Sequence, residues 1–102
     1  MATTDKSKAL PSLTRLQAQI VSHVINSIAF GEGEELVENL ADEFHRQPAR
    51  FLPTLRKLAD MGYLQLSGET YPRVSPTARA LRNWNPSLSE GEARKILRKA
   101  GV

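Results

Sequence analysis

Apolar residues recur at three- and four-residue intervals from Leu16 to Ile28, and Leu16, Ile20, Val21, Val24, Ile25 and Ile28 share one half of a helical wheel. Arg15, Gln19, Ser22 and Asn26 take the other half. Thr14-Arg-Leu-Gln17 has the form of a capping box, so the pattern predicts a helix from Thr14 to about Ala29 with one buried face. Phe30-Gly-Glu-Gly33 interrupts the period with two glycines and predicts a turn. A short second helix is expected from about Glu34, with Leu36, Val37, Leu40, Ala41 and Phe44 inward and its acids outward. Four of those acids lie at or near its start, where they suit the positive end of the helix dipole. Pro48 fits the first position of a third helix, whose buried side is marked by Phe51, Leu55, Leu58 and Met61 and which Gly62 ends.

Beyond Gly62 the period changes. Tyr63–Leu66 and Tyr71–Val74 are β-prone, and Ser67-Gly-Glu-Thr70 between them predicts a hairpin in which Pro72 suits an edge strand. Ser75-Pro76 predicts the cap and first residue of a fourth helix that runs to Trp84 and buries Ala80, Leu81 and Trp84. Asn85-Pro86 stops it. Ser89-Glu-Gly-Glu92 is a second capping box, opening a fifth helix that Gly101 closes. Its Ala93, Ile96, Leu97 and Ala100 share one side, with Arg94, Lys95, Arg98 and Lys99 mostly on the other. The expected fold class is mainly α with a small β-hairpin. The expected organisation is a polar leader over residues 1–10, a folded domain over 11–85 and a basic C-terminal helix over 86–102.

With 102 residues and 40% apolar content, the chain can bury one compact core but not two. It contains no apolar run long enough for a secretory signal, and none approaching the ~18–20 residues of a membrane span. A cytoplasmic location is therefore expected, without membrane attachment. The absence of cysteine excludes disulfides and thiolate metal sites. His23 and His45 share no ligand-like spacing with a carboxylate, and Gly31-Glu-Gly33 is flanked by acids that would repel phosphate. The carboxylates of the second helix have no nucleophile or base beside them in the pattern. No catalytic residue, metal or cofactor is expected, and the chain does not read as an enzyme.

Charge adds more than its net value of +3. Residues 31–44 hold six acids and no base, whereas residues 45–102 hold eleven bases against four acids. Such separation gives a molecule one face that attracts polyanions and one that repels them.

The order helix, helix, turn, helix, hairpin, helix is that of a winged helix-turn-helix domain. Leu40 to Leu64 resembles the helix-turn-helix of MarR-type and PadR-type bacterial regulators: Leu40-Ala41 leads through a short turn to a helix ending in Leu58-Ala-Asp-Met-Gly-Tyr-Leu64. Val74-Ser-Pro-Thr-Ala-Arg-Ala-Leu81 is similar to the segment that follows the wing in those families. The resemblance spans roughly residues 13–84 and implies a regulator of transcription that binds double-stranded DNA with its third helix in the major groove. On that helix, Phe51, Thr54, Leu55 and Leu58 are expected inward, and Gln47, Ala49, Arg50, Leu52, Pro53, Arg56 and Lys57 outward. Gln47, Arg50 and Arg56 are candidates for base edges, because arginine binds guanine and glutamine adenine through two hydrogen bonds. Arg46 and Lys57 are candidates for phosphates, joined by Arg73, the one base of the proposed wing. A homodimer reading two half-sites is the expected assembly.

Pro53 sits where a proline removes a helical hydrogen bond, so the third helix is expected to be kinked or to start late. An alternative stays open at this point. Leu52, Pro53 or the acidic second helix would equally suit a winged-helix module that docks on a protein partner.

Overall fold

The computed structural model describes residues 10–30, 33–68 and 72–102. The leader expected at the N-terminus lies outside the described residues up to position 9, as do Gly31 and Glu32 of the first turn and Glu69, Thr70 and Tyr71 of the expected hairpin. Among the described residues, five helices and three short strands follow in the order α1 (Arg15–Ala29), β1 (Glu35–Leu36), α2 (Val37–Glu43), α3 (Pro48–Asp60), β2 (Leu64–Ser67), β3 (Arg73–Pro76), α4 (Ala78–Trp84) and α5 (Glu90–Lys99). This is a winged helix-turn-helix fold, mainly helical with a small antiparallel sheet.

The capping box of α1 forms as its sequence dictates: the Gln17 amide donates to Thr14 Oγ1 and the Thr14 amide to Gln17 Oε1. Ile20, Val21, Val24, Ile25 and Ile28 are buried along its apolar stripe. They meet Leu40 and Ala41 of α2, Phe51, Leu55 and Leu58 of α3, Val74 of β3, and Ala80 and Leu81 of α4 in one continuous core. Ala93 and Leu97 of α5 belong to that same core. Among the described residues, no helix is long and apolar enough to cross a membrane.

Four details depart from the sequence pattern. Glu35 and Leu36 are not helical; they pair with Val74 and Arg73, so α2 starts at Val37 and the sheet has three strands in the order β1-β3-β2. Only Glu38 then remains in the first turn of α2. The strand β3 is consequently central rather than at an edge, and Pro72 precedes it, its carbonyl accepting from the Val37 amide at 2.9 Å. Proline is compatible with this position because only its acceptor is used. Ser75 and Pro76 complete β3 opposite Gln65 and Leu64, and the cap of α4 is Thr77, whose hydroxyl accepts from the Ala80 amide at 3.0 Å and donates to the Gly62 carbonyl at 2.6 Å. Trp84, expected inside, is 46% exposed at the end of α4.

The helix α3 begins at Pro48, so it does not start late, and continues to Asp60 with Pro53 inside it. Gly62 has a φ of 92°, which lets the Tyr63 amide return to the Leu58 carbonyl and the Gly62 amide to that of Ala59. That closure reverses the chain into β2. The buried Tyr63 hydroxyl donates to the Pro11 carbonyl and ties down the segment before α1.

The capping box of α5 also forms, with Ser89 N–H donating to Glu92 Oε1 at 2.9 Å and the Glu92 amide to Ser89 Oγ at 3.1 Å. These bonds, first the one from the Ser89 backbone, hold the Glu92 carboxyl below its ordinary value. A depressed carboxylate pKa contributes stability above the unfolded value and loses it as pH falls through the folded one. Acidification from neutral pH through the carboxylate range should therefore fray α5, and Ser89→Ala should cost about 1 kcal/mol at neutral pH. An NMR titration of the Glu92 carboxyl with urea unfolding of both proteins checks this; an unshifted Glu92 midpoint in the native protein would contradict it.

Candidate nucleic-acid interface

The helix-turn-helix is set by how α2 ends. The His45 amide donates to the Asp42 carbonyl at 3.0 Å and the Arg46 amide to that of Ala41 at 2.9 Å. This closure is the one seen after α3, but the residue in the left-handed conformation is His45, at φ 56°, instead of glycine. The turn carries Arg46 and Gln47 into α3. Gln47 is the N-cap, yet its side chain makes no capping bond and stays exposed.

An aromatic brace holds the turn against α1. The Phe44 ring stacks on Phe51 at a centroid distance of 5.7 Å and meets the His23 ring edge-on at 5.9 Å. His23 Nε2 in turn lies 3.2 Å from Glu35 Oε2, which also accepts from the Ser27 hydroxyl at 3.4 Å. Glu35 is thus drawn out of the expected exposed acidic face and joins α1 to β1. His23 and Ser27 lie four residues apart at the border of the apolar stripe of α1, and that spacing was the available signal for a polar partner.

On α3 the buried face comprises Phe51, Leu55 and Leu58, with Thr54 half-buried. Arg50, Arg56 and Lys57 are exposed, as are Arg46 and Gln47 before the helix. At about 100° per residue, Arg50 and Lys57 lie on one flank of the outward face and Arg56 on the other. Ala49 and Pro53, both exposed, lie between the flanks. Leu52 departs from expectation: it is half-buried and packs on the core, because it lies only about 60° around the helix from Leu55. It lines a recess of about 230 Å³ with Leu36, Val37, Glu38, Pro48, Ala49 and Pro72.

Arg73 is exposed at the start of β3, opposite Leu36 and Ser67. It borders a separate cavity with Glu34, Glu35 and Asn39, so its surroundings are acidic. Arg46, Arg50, Arg56 and Lys57 have no acid within ion-pairing reach among the described residues. The basic face of α5 is elsewhere: α5 packs on α4 and α1, whereas α3 packs on α2 and β2. Among the described residues, no group of acids and histidines could hold a metal ion.

No family model matches the sequence, and none of the curated proteins does. A solved structure of AbfR in a disulfide-formed state is similar, with a TM-score of 0.60, 10% sequence identity and 87% of this chain covered. The match covers 56% of the AbfR chain, so this protein spans little more than half of that neighbour's length. At such identity the likeness shows the fold alone.

The turn makes its own prediction. A β-branched residue at φ 56° should cost about 1–2 kcal/mol, so His45→Val should lower stability by that amount while His45→Gly leaves it within about 0.5 kcal/mol. Urea denaturation of the three proteins checks it; equal stability of the valine and glycine variants would contradict it.

Proposed function

We propose that this protein is a regulator of transcription of the MarR or PadR type that binds double-stranded DNA in the cytoplasm, with α3 in the major groove. The observation that carries the reading is the exposed face of α3: Arg50, Arg56 and Lys57, with Arg46 and Gln47 leading into it, have no acid partner among the described residues. Cations without intramolecular partners can neutralise phosphates without first breaking an ion pair. The positive end of the α3 dipole adds to their field, since its first turn contains no acid. A helix about 10–12 Å across fits the major groove of B-form DNA.

In this reading Gln47, Arg50 and Arg56 face base edges, while Arg46 and Lys57 hold phosphates. Arg73 contributes least, because Glu34 and Glu35 share its cavity. The acids of α2, Glu38, Asp42 and Glu43, are exposed beside the basic helix and restrict the approach of a duplex to the α3 side. A symmetric dimer would present two such helices to half-sites about 34–36 Å apart.

A docking module for a basic protein partner is the second reading, and the exposed acids of α2 beside the apolar recess favour it. Binding to random-sequence duplex DNA separates the two. On random-sequence DNA, which offers Arg50 and Arg56 no specific base, these two join Arg46 and Lys57 on phosphates. With about four phosphates neutralised, affinity should fall roughly a hundredfold between about 50 and 200 mM salt, and Arg50→Ala/Arg56→Ala should weaken binding and flatten the salt dependence by about two contacts. Fluorescence anisotropy reads both. No binding at the lowest salt would overturn the DNA reading in favour of the docking module.

A further inference from the structure

The crest of α3 is apolar. Ala49 and Pro53 are exposed one turn apart, and Arg50 with Lys57 on one side and Arg56 on the other are long enough to straddle them. Ala49 also lines the recess formed with Leu36, Val37, Glu38, Pro48, Leu52 and Pro72, which joins the crest to it. No crest side chain can donate or accept a hydrogen bond. The side chains of this strip offer a polar base edge no hydrogen-bond partner in exchange for the water it would lose, which is unfavourable.

The rim of the recess narrows the choice further. Glu38 lines it, and its carboxylate repels phosphate, so the sugar-phosphate backbone is not the group that enters. What remains is a neutral apolar group carried between two anionic strands that the flanking arginines and lysine can hold. Among the unmodified bases, only thymine presents one in the major groove, its C5-methyl group.

Resting on the reading of α3 as a DNA-recognition helix, we propose that Ala49, Pro53 and the adjoining recess select thymine through its C5-methyl group. Lys57 holds the backbone, Arg50 and Arg56 reach neighbouring base edges, and the crest between them adds discrimination for thymine. Pro53 fits this role in two ways. Its ring supplies a rigid apolar contact with no rotamer to immobilise. It also has no N–H to donate to the Ala49 carbonyl, at a position where the backbone rule for helix interiors is broken. Breaks of a local rule without a packing gain concentrate at functional positions, and Pro53 is exposed rather than packed.

The test uses the intact native protein. Preferred duplexes are selected from a random library, and each thymine in the selected site is then replaced singly by deoxyuridine, which removes only the methyl group. The inference expects thymine at one or two fixed positions and an affinity loss of about fourfold at each, the value of one buried methyl. Restoring a methyl with 5-methylcytosine at a cytosine in the same position distinguishes recognition of the methyl from recognition of the thymine carbonyl, and should recover part of the loss. Ala49→Ser and Pro53→Ser, both at exposed sites, should reduce the difference between thymine and deoxyuridine. Selection of no common sequence, or equal affinity for thymine and deoxyuridine at every position, overturns the inference while leaving DNA binding intact. Failure to bind any duplex overturns the underlying reading and the inference together.

Discussion

The architecture depends on β3 being paired on both sides. Arg73–Pro76 pair with β2 along one edge, Arg73 and Val74 pair with β1 along the other, and Val74 is completely buried between the sheet and the helices. β1 delivers the chain into α2 and β2 receives it from α3, so the two ends of the helix-turn-helix are held by the same strand. The Val37 amide bond to the Pro72 carbonyl places the first residue of α2 against the residue that precedes β3. The orientation of α3 is therefore a property of the sheet as much as of the turn.

This anchoring decides which side chains reach solvent. Three apolar residues of α3, Phe51, Leu55 and Leu58, are almost fully buried, so the rotation of the helix is fixed and with it the direction of Arg50, Arg56 and Lys57. The aromatic stack of Phe44 on Phe51, braced by His23 and through it by Glu35, holds the turn at the N-terminal end of α3. Glu35 is consequently half-buried in a structural pair, and the acidity presented to solvent near α3 belongs to Glu38, Asp42 and Glu43. Acid on α2 and base on α3 lie on adjacent helices, which gives the separated charge of the sequence a geometric form. The basic face of α5 is not continuous with α3 in packing, because α5 is held on α1 and α4 through Ala93 and Leu97.

Where an element was long enough to show a period, the sequence pattern was sufficient. The capping boxes at Thr14 and Ser89, the apolar stripe of α1 and the closing role of Gly62 all follow from residues within one or two helical turns of each other. The two-residue strand β1 was not legible, since Glu35-Leu36 has no period and its partner lies on a strand nearly 40 residues later. Ser75-Pro76 has the local form of a helix start, but pairing with Gln65 and Leu64 extends the strand, and the cap passes to Thr77. The same long-range order accounts for the site. The outward direction of Arg50, Arg56 and Lys57 was readable from the wheel, whereas the recess around Leu52 requires Leu36 and Pro72, which only the sheet brings to α3.

The central claim is that α3 is the surface on which DNA is bound, and the most direct measurement is a titration of the isotopically labelled native protein with duplex DNA, followed through its amide resonances. The account predicts that the largest shifts fall between Arg46 and Lys57, with the amides of α5 little changed. Shifts concentrated on Arg94, Lys95, Arg98 and Lys99 of α5, with α3 unmoved, would contradict it.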